Sequence, residues 1–246
     1  MTEEEQLAVA MERAKIRLRQ GIGTQSERLV HSTLKYYLEP DESCHEIPIG
    51  SFVADIFQKE TGQIIEIQTK GFDRLRDKLN YFLKEYHVTV VHPIVREKYL
   101  CWVEPETGEV ISRRKSPRKG RATDILPEIY RLPKLQNHPN LSFAALLMDM
   151  EEYRLLDGWN NDKKRGSHRM ERYPMAIDSV VTLYAPSDFA ALLPEELPDE
   201  FTRKDLAKAT KLSATTTAYA VKVWERAGSI VQIGKSGRQY LYKRSN

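Results

Sequence analysis

Two short apolar runs in this chain each enclose a single carboxylate. The first is Ser51-Phe52-Val53-Ala54-Asp55-Ile56-Phe57 and the second is Ile64-Ile65-Glu66-Ile67-Gln68-Thr69-Lys70, with Thr61-Gly62 between them. β-Branched and aromatic residues favour strands and Thr-Gly suits a tight turn, so the pair predicts strands at 52–58 and 63–69 joined as a hairpin. A carboxylate set in an apolar strand is costly unless something pairs with it. Adjacent strands would bring Asp55 within a few ångströms of Glu66, a geometry that suits a divalent cation held by oxygen ligands. The strand period of two puts Glu66, Gln68 and Lys70 on one face, with Ile65, Ile67 and Thr69 on the other.

The flanking segments set an element order. Residues 3–20 read as a helix with Leu7, Met11, Ala14 and Leu18 on one stripe, ended by Gly21-Ile22-Gly23. Thr24 can cap a second helix carrying Leu29, Val30, Leu34 and Leu38 at helical spacing, and Pro40-Asp41 breaks it. Glu27 can share the core-facing side of that helix and bring a third carboxylate to the same place. A short strand follows at 45–49, before the hairpin. After it come an amphipathic helix at about 73–86, with Leu75, Leu79, Phe82, Leu83 and Tyr86 inward, and a buried strand at 88–94. The order over residues 24–94 is therefore α-β-β-β-α-β. A further hairpin is expected at 99–112, turning at Pro105-Glu106-Thr107-Gly108. Residues 121–194 show no clear period, and Asp149, Glu151 and Glu152 beside Leu146-Leu147-Met148 read as a strand edge facing solvent. Pro194, Pro198 and the acids between them mark a linker, dividing the chain into domains at 1–194 and 195–246.

This arrangement resembles the PD-(D/E)xK nuclease superfamily, which includes archaeal-type Holliday junction resolvases and restriction endonucleases. The matching positions are Glu27, Asp55, Glu66 and Gln68, followed by the 73–86 helix and the 88–94 strand, over roughly residues 24–95. Ala54 stands where the family pattern has Pro, and Gln68 where it has Lys. The resemblance implies a restriction-endonuclease-like αβββαβ core with a mixed central sheet. It also implies Mg²⁺ or Mn²⁺ held by Asp55, Glu66 and Glu27. Gln68 can accept from water and donate to phosphate but supplies no charge; Lys70, on the same strand face, is the expected helper.

A second constellation closes the chain. Thr202 and Asp205 make a capping-box start to a helix at 203–210, Lys211-Leu212-Ser213 turns, and a second helix runs over about 214–227 to Gly228. Two alternating segments around Gly234-Lys235-Ser236-Gly237 form a basic hairpin. Helix, turn, helix, hairpin resembles the winged helix-turn-helix family. That likeness implies a recognition helix presenting Thr215, Thr216, Thr217, Tyr219 and Lys222 to a groove, with Lys235 and Arg238 on the wing near phosphates.

Charge agrees with a polyanion partner. The formal net charge is only +3, but residues 200–246 hold ten basic and three acidic side chains, a balance of +7 that leaves −4 for the rest. Arg113, Arg114, Lys115, Arg118, Lys119 and Arg121 form one basic run, and Lys163, Lys164 and Arg165 open another. Two cysteines give no disulfide scaffold, and six histidines show no paired metal spacing. An acidic N-terminus without signal-peptide order and no apolar run near the ~20 residues of a membrane span point to a cytoplasmic protein without a membrane partner.

The expectation is an α/β, Mg²⁺-dependent DNA endonuclease acting on duplex or branched DNA; double cleavage would need two active sites, which a homodimer could supply. The rival is a DNA-binding regulator or accessory protein with an inactive nuclease-like core.

Overall fold

The structure, a computed structural model, describes residues 2–19, 25–157 and 167–245, and for residues 25–28 the backbone alone. Two helices open the chain, α1 (Glu3–Arg19) and α2 (Gln25–Leu38). Strands β1 (His45–Ile49), β2 (Phe52–Gln58) and β3 (Gln63–Ile67) follow. A 3-10 turn, Phe72–Leu75, then leads into α3 (Arg76–Phe82). Next come β4 (His87–Val103), β5 (Val110–Lys115), α4 (Leu126–Ile129), β6 (Leu141–Leu155) and β7 (His168–Leu183). The chain ends through α5 (Pro186–Ala191), β8 (Glu200–Thr202), α6 (Arg203–Thr210), α7 (Ala214–Arg226), β9 (Ile230–Ser236) and β10 (Gln239–Arg244).

This is a mixed α/β protein built on a large mixed sheet. The order is β1-β2-β3-β4-β6-β7, with β5 paired to β4 outside that path. β2 and β3 are antiparallel, with Ile56 opposite Ile65 and Gln58 opposite Gln63. β3 and β4 are parallel, with Gln63 opposite His87 and Ile67 opposite Val91. Parallel neighbours need a crossover, and α3 supplies it. β6 runs beside β4 in the same sense. The Val88 amide donates to the Asn140 carbonyl at one end (2.8 Å), and the Leu156 amide donates to the Val103 carbonyl at the other (3.0 Å). A central strand is covered on both faces, which is why Ile64, Ile65, Glu66 and Ile67 are all buried in succession.

Three expectations change here. The 88–94 strand and the first arm of the 99–112 hairpin are one strand, β4, whose partner β5 turns back beyond Gly108 in the left-handed region (φ 73°). The third hairpin strand stops at Ile67 rather than Thr69. Asp149, Glu151 and Glu152 lie on β6, which has β4 on one side and β7 on the other, so they are not on a solvent-facing edge.

The chain divides into two compact units, neither continuous in sequence: 1–47, 93–121 and 146–179 form one, and 48–92, 122–145 and 180–246 the other. In the first, α1 packs on α2 through Ala10, Ala14, Leu29 and Tyr36, with Leu18, Tyr37 and Tyr173 against them. In the second, α7 is anchored by Trp224, whose indole N–H donates to the Phe189 carbonyl (2.8 Å). Its terminal carbonyls are also met: Gln136 bonds Val223 and Asn137 bonds Arg226, both at 2.9 Å, satisfying acceptors that a helix end leaves open. The Thr202–Asp205 capping box forms, and β8, β10 and β9 make a separate three-stranded sheet in that order. Among the described residues no helix is long and apolar enough to cross a membrane.

Candidate functional site

Asp55 and Glu66 meet where the β2–β3 ladder stops. Backbone pairing runs from Gln58 and Gln63 up to Ile56 and Ile65. At the next rung the side chains take over: the Asp55 amide donates to Glu66 Oε1 (3.2 Å), and the Ile67 amide donates to Asp55 Oδ2 (2.9 Å). Residues opposite each other on antiparallel strands share a face, which sets the two carboxylates together.

A cation reaches this pair from the crossover helix. Lys78 Nζ lies 2.5 Å from Glu66 Oε2, its side chain largely buried. Gly71 adopts φ 72°, a conformation that costs glycine little, and turns the chain out of β3. The Glu128 carboxylate accepts from the Gly71 and Phe72 amides (2.6 and 3.2 Å), and Phe72, Leu75, Leu79 and Phe82 bury the inner side of the turn and helix. Lys78 shares that stripe, three residues after Leu75 and four before Phe82. A lysine among inward positions is the signal that the β-strand pattern draws attention away from. His92, buried on β4, donates from Nδ1 to the Gln68 carbonyl (2.8 Å), and burial pushes its imidazole below the usual range. It braces the exit of β3.

Glu66 is 1% exposed. Burial first, and the adjacent Asp55 carboxylate second, raise its pKa from 4.5 to about 7, against the opposing pull of Lys78. The folded state therefore holds this proton more tightly than the unfolded chain does. The stabilisation is fully present below about 4.5 and is lost as pH rises through about 7. Relative to Glu66→Gln, the wild-type protein is expected to lose roughly 3 kcal/mol of stability between pH 4.5 and 7. Urea unfolding of both proteins at several pH values checks this; parallel pH profiles would show that Glu66 titrates normally.

The other expected residues are placed as follows. The Gln68 side-chain amide donates to the Lys70 carbonyl (2.7 Å), and Lys70 is exposed beyond the end of β3. The Glu27 side chain lies outside the described residues. Among the described residues no group of three or more His, Cys, Asp or Glu side chains converges as a metal site. Asp55 and Glu66 form a two-carboxylate set, and magnesium commonly takes one or two carboxylates and fills its sphere with water, so the donors fit that ion.

The basic run over 113–121 does not act as one patch. Arg113 pairs with Glu151 (2.7 Å), and Lys115 and Lys119 pair with Glu97 (2.5 and 3.4 Å). Arg114, Arg118 and Arg121 are exposed. Lys163, Lys164 and Arg165 lie outside the described residues. On α7, Thr215 is exposed, while Thr216 bonds back to Ser213. Lys222 is exposed and pairs with Glu225 (2.7 Å). Thr217 is buried, its hydroxyl donating to the Ser213 carbonyl (2.8 Å). Tyr219 stacks on Tyr130, the residue that ends α4, centroids 4.4 Å apart and planes 12° apart. Lys235 and Arg238 stay on the surface of the β9–β10 hairpin. The helix thus turns two of its five expected contact residues toward protein.

Residues 28–184 match a family model described as a domain of unknown function, DUF8091. The match spans more than half of the sequence, and the chain belongs to this family. A protein of Treponema pallidum (strain Nichols) described as an uncharacterized protein is 29% identical over 223 residues, covering 91% of this chain and 87% of its own length. No solved structure matches the chain.

Proposed function

We propose that this chain is a metal-dependent DNA endonuclease, with a restriction-endonuclease-like core around β2, β3, α3 and β4 and a winged helix over α6, α7, β9 and β10. The observation that carries the reading is the Asp55–Glu66–Lys78 constellation. Two carboxylates sit on the two arms of an antiparallel hairpin, and the helix that crosses over to the next parallel strand returns a lysine to them. The resemblance to PD-(D/E)xK nucleases expects an acid on each hairpin strand and a cation beside the second. Here the cation comes from α3, while the Gln68 side-chain amide donates to the Lys70 backbone carbonyl and Lys70 is exposed.

Asp55 and Glu66 would hold Mg²⁺ or Mn²⁺. When bound, such an ion polarises the phosphodiester and lowers the pKa of a coordinated water. The protein's own contribution is electrostatic. Lys78 opposes the rise in the Glu66 pKa and keeps a positive charge beside the site, where negative charge would build on the reacting phosphate.

Supercoiled plasmid incubated with Mg²⁺ or Mn²⁺ should be nicked by the wild-type protein, and Asp55→Ala and Glu66→Ala should reduce nicking to background. Nicking that persisted in both variants would sink the assignment. The rival reading, a DNA-binding regulator with an inactive core, draws on the enclosure of Glu66 and its close pairing with Lys78. Duplex binding without nicking under any divalent ion would favour it.

A further inference from the structure

The sheet segment formed by β5, β4, β6 and β7 has two faces of different charge balance. On one face three cations are met by two acids: Arg113 meets Glu151, and Lys115 and Lys119 share Glu97. Tyr99 lies beneath Arg113 (3.9 Å to the ring centroid), and Lys15 of α1 sits over Tyr173 (5.5 Å). Strand alternation sends Arg114, between Arg113 and Lys115, to the opposite face.

That opposite face is built around Glu152, a fully buried carboxylate in the middle of the sheet. Four cations converge on it. Arg154 approaches to 2.5 Å, Arg172 to 3.1 Å, Lys98 to 3.5 Å and Arg169 to 3.7 Å. Their side chains remain 25–40% exposed, so each reaches water while touching the same acid. Arg154 also lies 6.0 Å from the Trp102 ring, and Arg114 lies 5.7 Å from that ring. Four cations thus share one acid, and Arg114 stands near them over the same ring. A guanidinium carries five N–H donors, and a single carboxylate cannot use those of three arginines, so donors are left facing solvent. Burial alone would lift the Glu152 pKa. The Arg154 hydrogen bond and the fields of Lys98, Arg154 and Arg172 instead hold it at about 2, so it stays ionised as the post around which the cations are gathered.

We infer that this face, with Lys98, Arg114, Arg154, Arg169 and Arg172 around Glu152 and Trp102, grips the phosphate backbone of DNA. The inference rests on the nuclease reading for the identity of its ligand. Concentrated uncompensated charge on a surface attracts a polyanion, and arginine forks match phosphate oxygens two at a time. The size is apt. Four strands at ~4.8 Å spacing carry the cations across about 14 Å, the rise of about four nucleotides of one strand.

The test is fluorescence anisotropy of the full chain on a labelled duplex in EDTA, across a salt series. Binding is then read without cleavage, and loss of nicking with intact binding would bear on the nuclease reading alone. Arg154→Gln with Arg172→Gln should weaken binding by about tenfold or more at low salt and reduce the salt slope by about 2. Lys98→Gln with Arg114→Gln is a second arm, independent of whether the first variant folds. Lys15→Gln, on the Arg113 face, should bind as wild type. Wild-type affinity and slope in both double variants would overturn the inference, as would capture by phosphatidylserine vesicles through these residues with no binding to the duplex.

Discussion

On the proposed nuclease reading, Lys78→Met is expected to slow metal-dependent cleavage by about two to three orders of magnitude, the usual effect of removing one preorganised charge-stabilising group. It should also move the pH–rate profile to higher pH. The reason lies in the balance at Glu66, where burial and Asp55 favour the protonated acid and Lys78 favours the carboxylate. Without the ammonium 2.5 Å away, the proton is held still more tightly. Methionine keeps an unbranched chain of similar length next to Phe82, whose ring centroid lies 5.7 Å from the Lys78 ammonium. Lys78→Arg should restore part of the rate. Nicking rates measured from pH 6 to 9 separate the outcomes: an unchanged rate and profile would show that Lys78 is only a structural partner of Glu66.

Trp224→Ala is expected to cost about 3–5 kcal/mol of stability, among the largest losses a single truncation produces. Trp224 is fully buried, and its N–H satisfies the Phe189 carbonyl. Removing the indole opens a large cavity and leaves that acceptor without its partner. For a chain of this size the melting temperature should fall by roughly 10 °C, read by circular dichroism. Trp224→Phe should recover much of the loss but not the hydrogen bond. A melt unchanged in the alanine variant would mean that α7 contributes little to the cooperative unit.

The order of elements over residues 24–94 was readable because each element there has its own period and its own stop. Thr61-Gly62 closes the hairpin, Pro40-Asp41 ends the helix before it, and the Leu75–Leu79–Phe82 spacing belongs to a helix. Residues 141–155 were not readable as a strand for a physical reason. Its apolar half is covered on both faces and so shows no alternation, while its charged half carries acids met by Arg113 of β5, Arg172 of β7 and Arg154 of the strand itself. Asp55 and Glu66 were identifiable as carboxylates in apolar strands. Lys78 was not, because its role depends on a crossover that places a helix position against a strand position 12 residues earlier. The recognition-helix expectation for Thr217 and Tyr219 missed because α7 is contacted from two sides. The polarity of a hydroxyl does not reveal that it bonds its own helix, nor does a tyrosine reveal that another ring covers it.

The rung at which side chains replace the β2–β3 ladder gives the hairpin an unusual dependence. The Ile67 and Asp55 amides are held by the acids themselves. Whatever competes for those oxygens, a proton or an ion, also competes with the clasp that closes this end of the hairpin. Occupancy of the site and opening of the two strands are therefore one linked equilibrium, and the chemistry at the carboxylates is written into how fast two backbone protons exchange with water.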